Sequence, residues 1–392
     1  MIIGVPKESF PGERRVALVP ASIPVLLKGK CEVVVEAGAG LGAGYTDAAY
    51  ADKGAKLVST RAEVFSAADV VLQVLCHGAN DRTGGADLPL MRPAQVLIGF
   101  LRPLGSPQTV QEIAARGVSA FAVELMPRIT RSQNMDALSA MATICGYKAV
   151  LIAADLLPRF FPMLTTAAGT ITPARVLVLG GGVAGLQAIA TARRLGAVTS
   201  AYDVRPAVKE QVQSLGGRFV ELPLETGQSE DARGYARPQD ETFLSRQREL
   251  LTRVIAESDV VISTATVPGK RAPLLITSDM VARMALGSVI VDIAAERGGN
   301  CELTRLNEVV REHGVTIVGY FNLASTVPYH ASQMYSRNLT AFLLNLLKDG
   351  KLNIDLGDEI TRGTLVARDG NVVHPLLVQA QLAGAAGAVK TP

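Results

Sequence analysis

Short, strongly apolar runs alternate with amphipathic or polar stretches along the whole chain. Ile2 to Val5, Glu32 to Glu36, Val70 to Leu75, Gln95 to Phe100 and Val118 to Val123 predict strands, with helical stretches between them. A helix is expected from near Pro20. After a long apolar segment, Ala140 to Phe161, the alternation resumes. Arg175 to Leu179, Val198 to Tyr202, Gly216 to Phe219, Asp259 to Ser263, Gly287 to Asp292 and Val315 to Gly319 predict further strands. Runs so uniformly apolar, each followed by a helical stretch, belong to parallel sheets covered on both faces. Ala140 to Phe161 and Pro328 to Leu347 read as long connecting helices. The expected fold is therefore α/β: two doubly wound, Rossmann-like domains with parallel sheets, joined by long interdomain helices. Residues 1–135 with 340–392 are assigned to the first domain and 136–339 to the second. His77 to Leu90, rich in Gly, Asn and Asp, reads as a surface loop.

One strand-to-helix junction carries chemistry. Gly180-Gly-Gly-Val-Ala-Gly185 follows Arg175 to Leu179 and opens a segment, Leu186 to Leu195, with apolar residues at helical spacing. This is the strand, Gly-x-Gly-x-x-Gly turn and helix of a dinucleotide-binding unit. Gly180 serves the tight turn, Gly182 the close approach of a pyrophosphate, and Gly185 the packing of helix on strand. The diphosphate would rest on the free N–H groups and positive end of that helix. Val198 to Tyr202 reads as the next strand and ends in Asp203, about twenty residues past the glycines, where a carboxylate accepts from ribose hydroxyls. A carboxylate there repels a 2′-phosphate and favours NAD(H) over NADP(H); Arg205, two residues on, tempers that preference. The alternative is a glycine turn that only packs helix on strand.

Further polar clusters punctuate the pattern. Arg128, Gln133, Asp136 and Ser139 precede the long apolar helix, at the expected mouth of a cofactor cleft. Residue type leaves two readings open: a binding cluster, or Asp136 or Ser139 capping that helix. Glu225 to Asp240 is a long polar loop with a single aromatic, Tyr235, and loops of this length are often functional. Thr264 to Gly269 follows a strand at the carboxyl end, where open sheets bind ligands. Asp292 reads as a strand-end cap and the solitary His374 as a packing residue.

Composition narrows the classes. The 392 residues suffice for two cores, and the net charge of +3 comes from 39 basic and 36 acidic residues. The basic residues are scattered, without the tract or aromatic interleaving of a nucleic-acid binder. Cys31, Cys76, Cys145 and Cys301 lie far apart without zinc-type spacing, so neither a metal site nor a disulfide framework is expected, and a reduced compartment fits. The N-terminus lacks a signal-peptide pattern. No uncharged apolar run of about eighteen residues occurs, so no membrane span is expected.

Pro6-Lys-Glu with Glu13-Arg-Arg-Val-Ala-Leu, Met126-Pro-Arg-Ile-Thr-Arg-Ser-Gln-Asn-Met-Asp136, Gly182-Val-Ala-Gly-Leu-Gln, Lys209-Glu-Gln-Val, Val267-Pro-Gly-Lys and Gly298-Gly-Asn-Cys resemble the NAD(H)-binding component of proton-translocating NAD(P) transhydrogenase. The likeness runs over essentially the whole chain, with a wider relation to alanine dehydrogenase and lysine-forming saccharopine dehydrogenases. It implies a component that binds NAD(H) and passes hydride to NADP(H) on a separate component, coupled to proton movement through a membrane component. Arg128, Gln133, Asp136 and Ser139 match the loop that orients the nicotinamide, with Gln133 reaching the partner's nucleotide. Gly234 and Tyr235 match a mobile loop closing over the cofactor. The cofactor-binding set the resemblance implies is Gly180, Gly182, Val183, Gly185, Asp203, Val204, Arg205, Gly234, Tyr235, Ala265 and Thr266. It further implies a homodimer held peripherally on the inner face of the cell membrane by its partner subunits. The alternative is an alanine-dehydrogenase-like enzyme. Arg15 matches the carboxylate-binding Arg of those enzymes, but Gln73, Leu75 and Arg102 stand where they carry lysines and a catalytic His. Thr266 replaces the Leu usual in transhydrogenases.

Overall fold

The computed structural model describes residues 1–223, 240–267, 269–348 and 350–379. Chain packing divides it into two units, Met1–Met141 with the chain from Ser325 onward, and Ala142–Ala324. The first unit opens with strands β1 (Ile2–Val5), β2 (Glu32–Glu36), β3 (Lys56–Val58), β4 (Val70–Leu75), β5 (Val96–Phe100) and β6 (Ser119–Ala122). Helices α1 (Ile23–Lys28), α2 (Asp47–Ala51), α3 (Arg61–Ala67) and α4 (Pro107–Ala114) connect them. The six strands are parallel in the order β6-β5-β4-β1-β2-β3. Ile3, Leu72, Ile98 and Phe121 are fully buried, as strands sandwiched between helices require.

Helix α5 (Ala137–Leu156) leads into the second unit, followed by an antiparallel hairpin, β7 (Leu164–Thr166) and β8 (Gly169–Ile171). Then come β9 (Arg175–Leu179), α6 (Val183–Arg194), β10 (Val198–Tyr202), α7 (Val208–Ser214) and β11 (Arg218–Phe219). After α8 (Glu241–Ala256), β12 (Val260–Ser263), α9 (Ser278–Ala282) and β13 (Val289–Asp292), the sheet closes with β14 (Val309–Glu312) and β15 (Val315–Val318). Its order is β11-β10-β9-β12-β13-β15-β14, so successive connections run outward in opposite directions from β9 and β12. That reversal opens a crevice at the carboxyl ends of these two strands. The chain returns to the first unit through α10 (Pro328–Asn345), the hairpin β16 (Leu347–Lys348) and β17 (Lys351–Leu352), α11 (Glu359–Thr364), β18 (Leu365–Arg368) and β19 (Asn371–Val372).

Both sheets are doubly wound α/β sheets, with antiparallel edges that the sequence pattern did not announce. β18 runs antiparallel to β6, β19 to β18, and β14 to β15. The cause is local. His313-Gly314 and Asp369-Gly370 have positive φ at both positions (54° and 74°, 50° and 80°), the backbone of a two-residue hairpin turn. Such a turn can only join antiparallel strands.

His77 to Leu90 is not a plain surface loop. Gly84–Leu90 is a 3-10 helix, and Asn80 and Asp87 are buried. Arg61 holds Asp87 through two bonds of 2.5 and 2.6 Å, which compensates the cost of burying the carboxylate. Helix α5 starts at Ala137 rather than Ala140 because Asp136 caps it, and it ends before Pro158. By length and composition α5 is the one described helix that could cross a bilayer. It carries Lys148 and Asp155, and its Ala149, Val150 and Ala153 pack inside the core of the second unit against β9 and β12 residues.

Candidate functional site

The junction of β9 and α6 is built for close approach. Gly180 sits at φ +100°, and its N–H bonds the Tyr202 carbonyl at 2.9 Å. A Cβ on Gly185 would lie 1.9 Å from the Gly180 carbonyl oxygen, so only glycine lets α6 lie on the turn. A Cβ on Gly182 would meet nothing within 4 Å, which leaves its outer side open. Helix α6 begins at Val183 with Gly182 as N-cap, no side chain capping it and no acid in its first turn. Its first N–H groups and dipole are thus free for an anion. A further glycine, Gly146 of α5, was not singled out from the sequence. A methyl there would lie 2.0 Å from the Ala184 carbonyl oxygen, so Gly146 sets the seat of the first turn of α6. A glycine inside an apolar helical run was the available signal.

Asp203 ends β10 and reaches back to the turn. Its Oδ2 accepts from Gly181 N at 2.7 Å and from Arg205 Nη2 at 2.8 Å; Oδ1 accepts from Arg205 N and Nε at 2.8 and 2.9 Å. These bonds fill the carboxylate's four acceptor directions. A ribose hydroxyl can bind only by displacing the Arg205 guanidinium. Val204 follows directly on Asp203 and packs against the core of the second unit. Gly234 and Tyr235 lie outside the described residues.

Across the crevice, the segment after β12 is fixed at several points. Thr264 N donates to the Leu179 carbonyl at 2.8 Å and Thr264 Oγ1 to the Gly180 carbonyl at 3.0 Å. Ala265 is held by Asn300, and Thr266 is half-buried beyond it. Asp292 ends β13, is 1 % exposed, and caps the following 3-10 turn through Ala294 N at 3.0 Å. Burial pushes its carboxyl above the ordinary range, against hydrogen bonds from Thr304, Cys301, Ser263 and Asn300 that pull it down.

Arg128, Gln133, Asp136 and Ser139 lie in the first unit, on the stretch leading into α5. Arg128 and Gln133 are exposed. Asp136 and Ser139 are brought together: Asp136 Oδ1 accepts from Ser139 N at 2.8 Å and Oδ2 from Ser139 Oγ at 2.6 Å. The helix cap is therefore present, and a half-buried carboxylate that caps with one face can still meet a ligand with another. The 3-10 turn Thr130–Met135 carrying Gln133 is tethered on both sides. Arg131 bonds Asp358 and, at 3.2 Å, Asn345 Oδ1, while Asn338 Nδ2 donates to the Asn134 carbonyl at 2.8 Å. Arg131, Asn338 and Asp358 were not legible as supports, because their partners are some two hundred residues away in sequence.

A charged cluster occupies the carboxyl ends of β1 and β4. Arg15, 4 % exposed, is gripped by Glu13 through bonds of 2.8 and 2.6 Å. Gln73 donates to Asp87 at 3.0 Å. The pairing of β4 with β5 shifts register between Leu72 and Leu75, and Glu8 accepts from the Val74 and Leu75 N–H groups there at 2.6 and 3.2 Å. Burial and the nearby Glu13 charge raise the Glu8 carboxyl from 4.5 to about 8, against the pull of those N–H groups and Arg61. The raised value means the fold favours protonated Glu8. That contribution is complete below pH 4.5 and is lost as pH climbs toward 8. Wild-type stability is expected to fall over this window by up to about 1.4 kcal/mol per pH unit relative to Glu8→Gln. Urea midpoints of the two proteins at pH 5.5 and 8 measure it, and parallel pH profiles would contradict it.

The fold and this site define a class, a chain of two doubly wound α/β units with a dinucleotide-type glycine turn in the second. Models of the alanine dehydrogenase/PNT N-terminal and C-terminal domains match residues 4–145 and 149–375. The first portion of NAD(P) transhydrogenase subunit alpha of Rhodospirillum rubrum, a separate chain, is 47 % identical over 380 residues, covering 96 % of this chain and 99 % of that protein. The crystal structure of transhydrogenase from Sinorhizobium meliloti superposes with a TM-score of 0.85 at 42 % identity, over 95 % of this chain and 100 % of that one. Alanine dehydrogenase of Bacillus subtilis is more distant, 28 % identical over 384 residues, 95 % of this chain and 93 % of that enzyme. The chain belongs to the alanine dehydrogenase/PNT family, on the side of the transhydrogenase alpha subunits.

Proposed function

We propose that this chain is the NAD(H)-binding component of a proton-translocating transhydrogenase, passing hydride between NADH and NADP+ held by a partner subunit. The observation that carries the reading is the uncapped start of α6 behind Gly180 and Gly182, with Asp203 at the end of the next strand. Val183 and its neighbours in the first turn would hold the diphosphate, and Asp203, Val204 and Arg205 the adenosine ribose. Ala265 and Thr266 would support the nicotinamide end, with Arg128, Gln133, Asp136 and Ser139 orienting it. Gly234 and Tyr235 would complete the site. When bound, the nicotinamide supplies or accepts the hydride. The protein's work is then alignment and exclusion of water, which needs no nucleophile or acid–base pair.

The Rhodospirillum relative is named as one portion of a subunit alpha, which speaks for further subunits. We infer an NADP(H)-binding and a membrane component, on the inner face of the cell membrane. A homodimer is part of the same reading. Phe160, Met163 and Ile171 lie on or beside the β7–β8 hairpin with 55, 62 and 42 % of their surface exposed, an apolar patch suited to a second copy. Amino-acid oxidation is disfavoured, because Arg15 is already engaged by Glu13 and Gln73 by Asp87.

The test combines the chain with NADH, an NADP+ analogue and a purified NADP(H)-binding partner. Reduction of the analogue is expected only with all components present. NADH oxidation by the isolated chain with pyruvate and ammonia would overturn the reading in favour of a dehydrogenase.

A further inference from the structure

Gly298-Gly-Asn-Cys301 lies outside the proposed contacts to the cofactor, yet it forms the most fully bonded buried polar network of the second unit's described residues. Gly298 and Gly299 take φ of +93° and +76°, and this left-handed turn folds the chain back onto the end of β13. There Asp292 Oδ2 accepts from Asn300 N at 2.7 Å, Cys301 N at 3.1 Å and Thr304 Oγ1 at 2.8 Å. Its Oδ1 accepts from Ala294 N and from Ser263 Oγ, both at 3.0 Å. Asn300, with none of its surface exposed, turns its amide toward the neighbouring segment. Oδ1 accepts from Ala265 N at 3.1 Å, and Nδ2 donates to the Ala265 carbonyl at 2.9 Å and the Pro273 carbonyl at 2.8 Å. Both main-chain groups of Ala265 are thus satisfied by one side chain, as a neighbouring strand would satisfy them. On its other side the segment is pinned to the glycine turn through Thr264.

We propose that Asn300, oriented by Asp292, is the positioning residue for the nicotinamide end of bound NAD(H), acting through Ala265 to set the course of Thr264–Val267. The inference rests on the nucleotide-binding reading above and deepens it. Nothing else among the described contacts fixes both polar groups of Ala265, so the direction in which Thr266 faces the crevice depends on this amide. The adenosine half of the cofactor is held on β9, β10 and α6, which Asn300 does not touch. Loss of Asn300 therefore separates the two halves of the ligand.

The experiment titrates NADH and ADP-ribose, which lacks the nicotinamide, into the wild type and Asn300→Ala, with thermal unfolding recorded for each. Asn300→Ala is expected to raise the NADH dissociation constant about tenfold, the worth of one or two hydrogen bonds, and to leave that of ADP-ribose within about twofold. Equal weakening of both ligands, or no weakening of either, overturns the proposal. Where Asn300→Ala does not fold, Thr304→Val decides the matter in the same way, because it removes only one of the five bonds on Asp292. Its selective loss for NADH is expected at about threefold. A wild-type chain that binds neither ligand would sink the nucleotide-binding reading and this inference with it, a result distinct from a non-selective loss in the variant.

Discussion

Gly185→Ala is expected to destabilise the second unit by about 1–3 kcal/mol and to weaken NADH binding by at least about tenfold. The new methyl would lie 1.9 Å from the Gly180 carbonyl oxygen, 3.0 Å from the Gly180 carbonyl carbon and 3.2 Å from Val178 Cγ1. The nearest two of these atoms are backbone in the turn itself, so no rotamer change relieves the clash. Helix α6 must lift from β9, and its first N–H groups leave the place where a diphosphate would be held. Gly182→Ala supplies the contrast. It has nothing within 4 Å, so its stability should stay within about 1 kcal/mol of wild type while NADH affinity falls, because the methyl enters the open side. Urea unfolding paired with NADH titration separates the two. A Gly185→Ala protein with wild-type stability and affinity would show that α6 does not depend on this approach.

Gln133→Asn is expected to lower the rate of hydride transfer about 10- to 100-fold while changing NADH affinity less than about threefold. Asn keeps the amide but withdraws it by one methylene. The turn cannot follow to make up the distance. Arg131 is tied to Asp358 and Asn345, Asn338 holds the Asn134 carbonyl, and Ser132 Oγ bonds the Ile129 carbonyl at 3.0 Å. Gln133 is exposed, as a residue that reaches a partner's nucleotide must be. Single-turnover transfer in the reconstituted complex and NADH titration of the isolated chain give the two numbers. A large loss of NADH affinity with normal turnover would reassign Gln133 to the chain's own cofactor.

The course of β1, β2, β4, β9 and β10 could be read from the residues because parallel strands covered on both faces must be apolar throughout. The glycine turn was legible for a related reason: Gly180, Gly182 and Gly185 each answer to a steric demand set within a few residues of chain. Asp203 followed from its distance along the chain. That its four acceptor directions are taken by Gly181 and Arg205 did not, since acceptor occupancy is a matter of side-chain conformation. The antiparallel edges at β14, β18 and β19 had a local signal in His313-Gly314 and Asp369-Gly370, overshadowed by the regular alternation before them.

Local chemistry along the chain thus dictated the α/β class, the doubly wound sheets and the presence of a dinucleotide turn, because periodicity and glycine sterics act over a few residues. Folding in three dimensions was needed to bring Asn300 to Ala265, Arg131 to Asp358 and Gly146 to Ala184. These pairs are 35, 227 and 38 residues apart in sequence. Their partners are chosen by the direction each buried polar group or backbone surface faces once the sheets have formed, and no pattern along the chain encodes that direction.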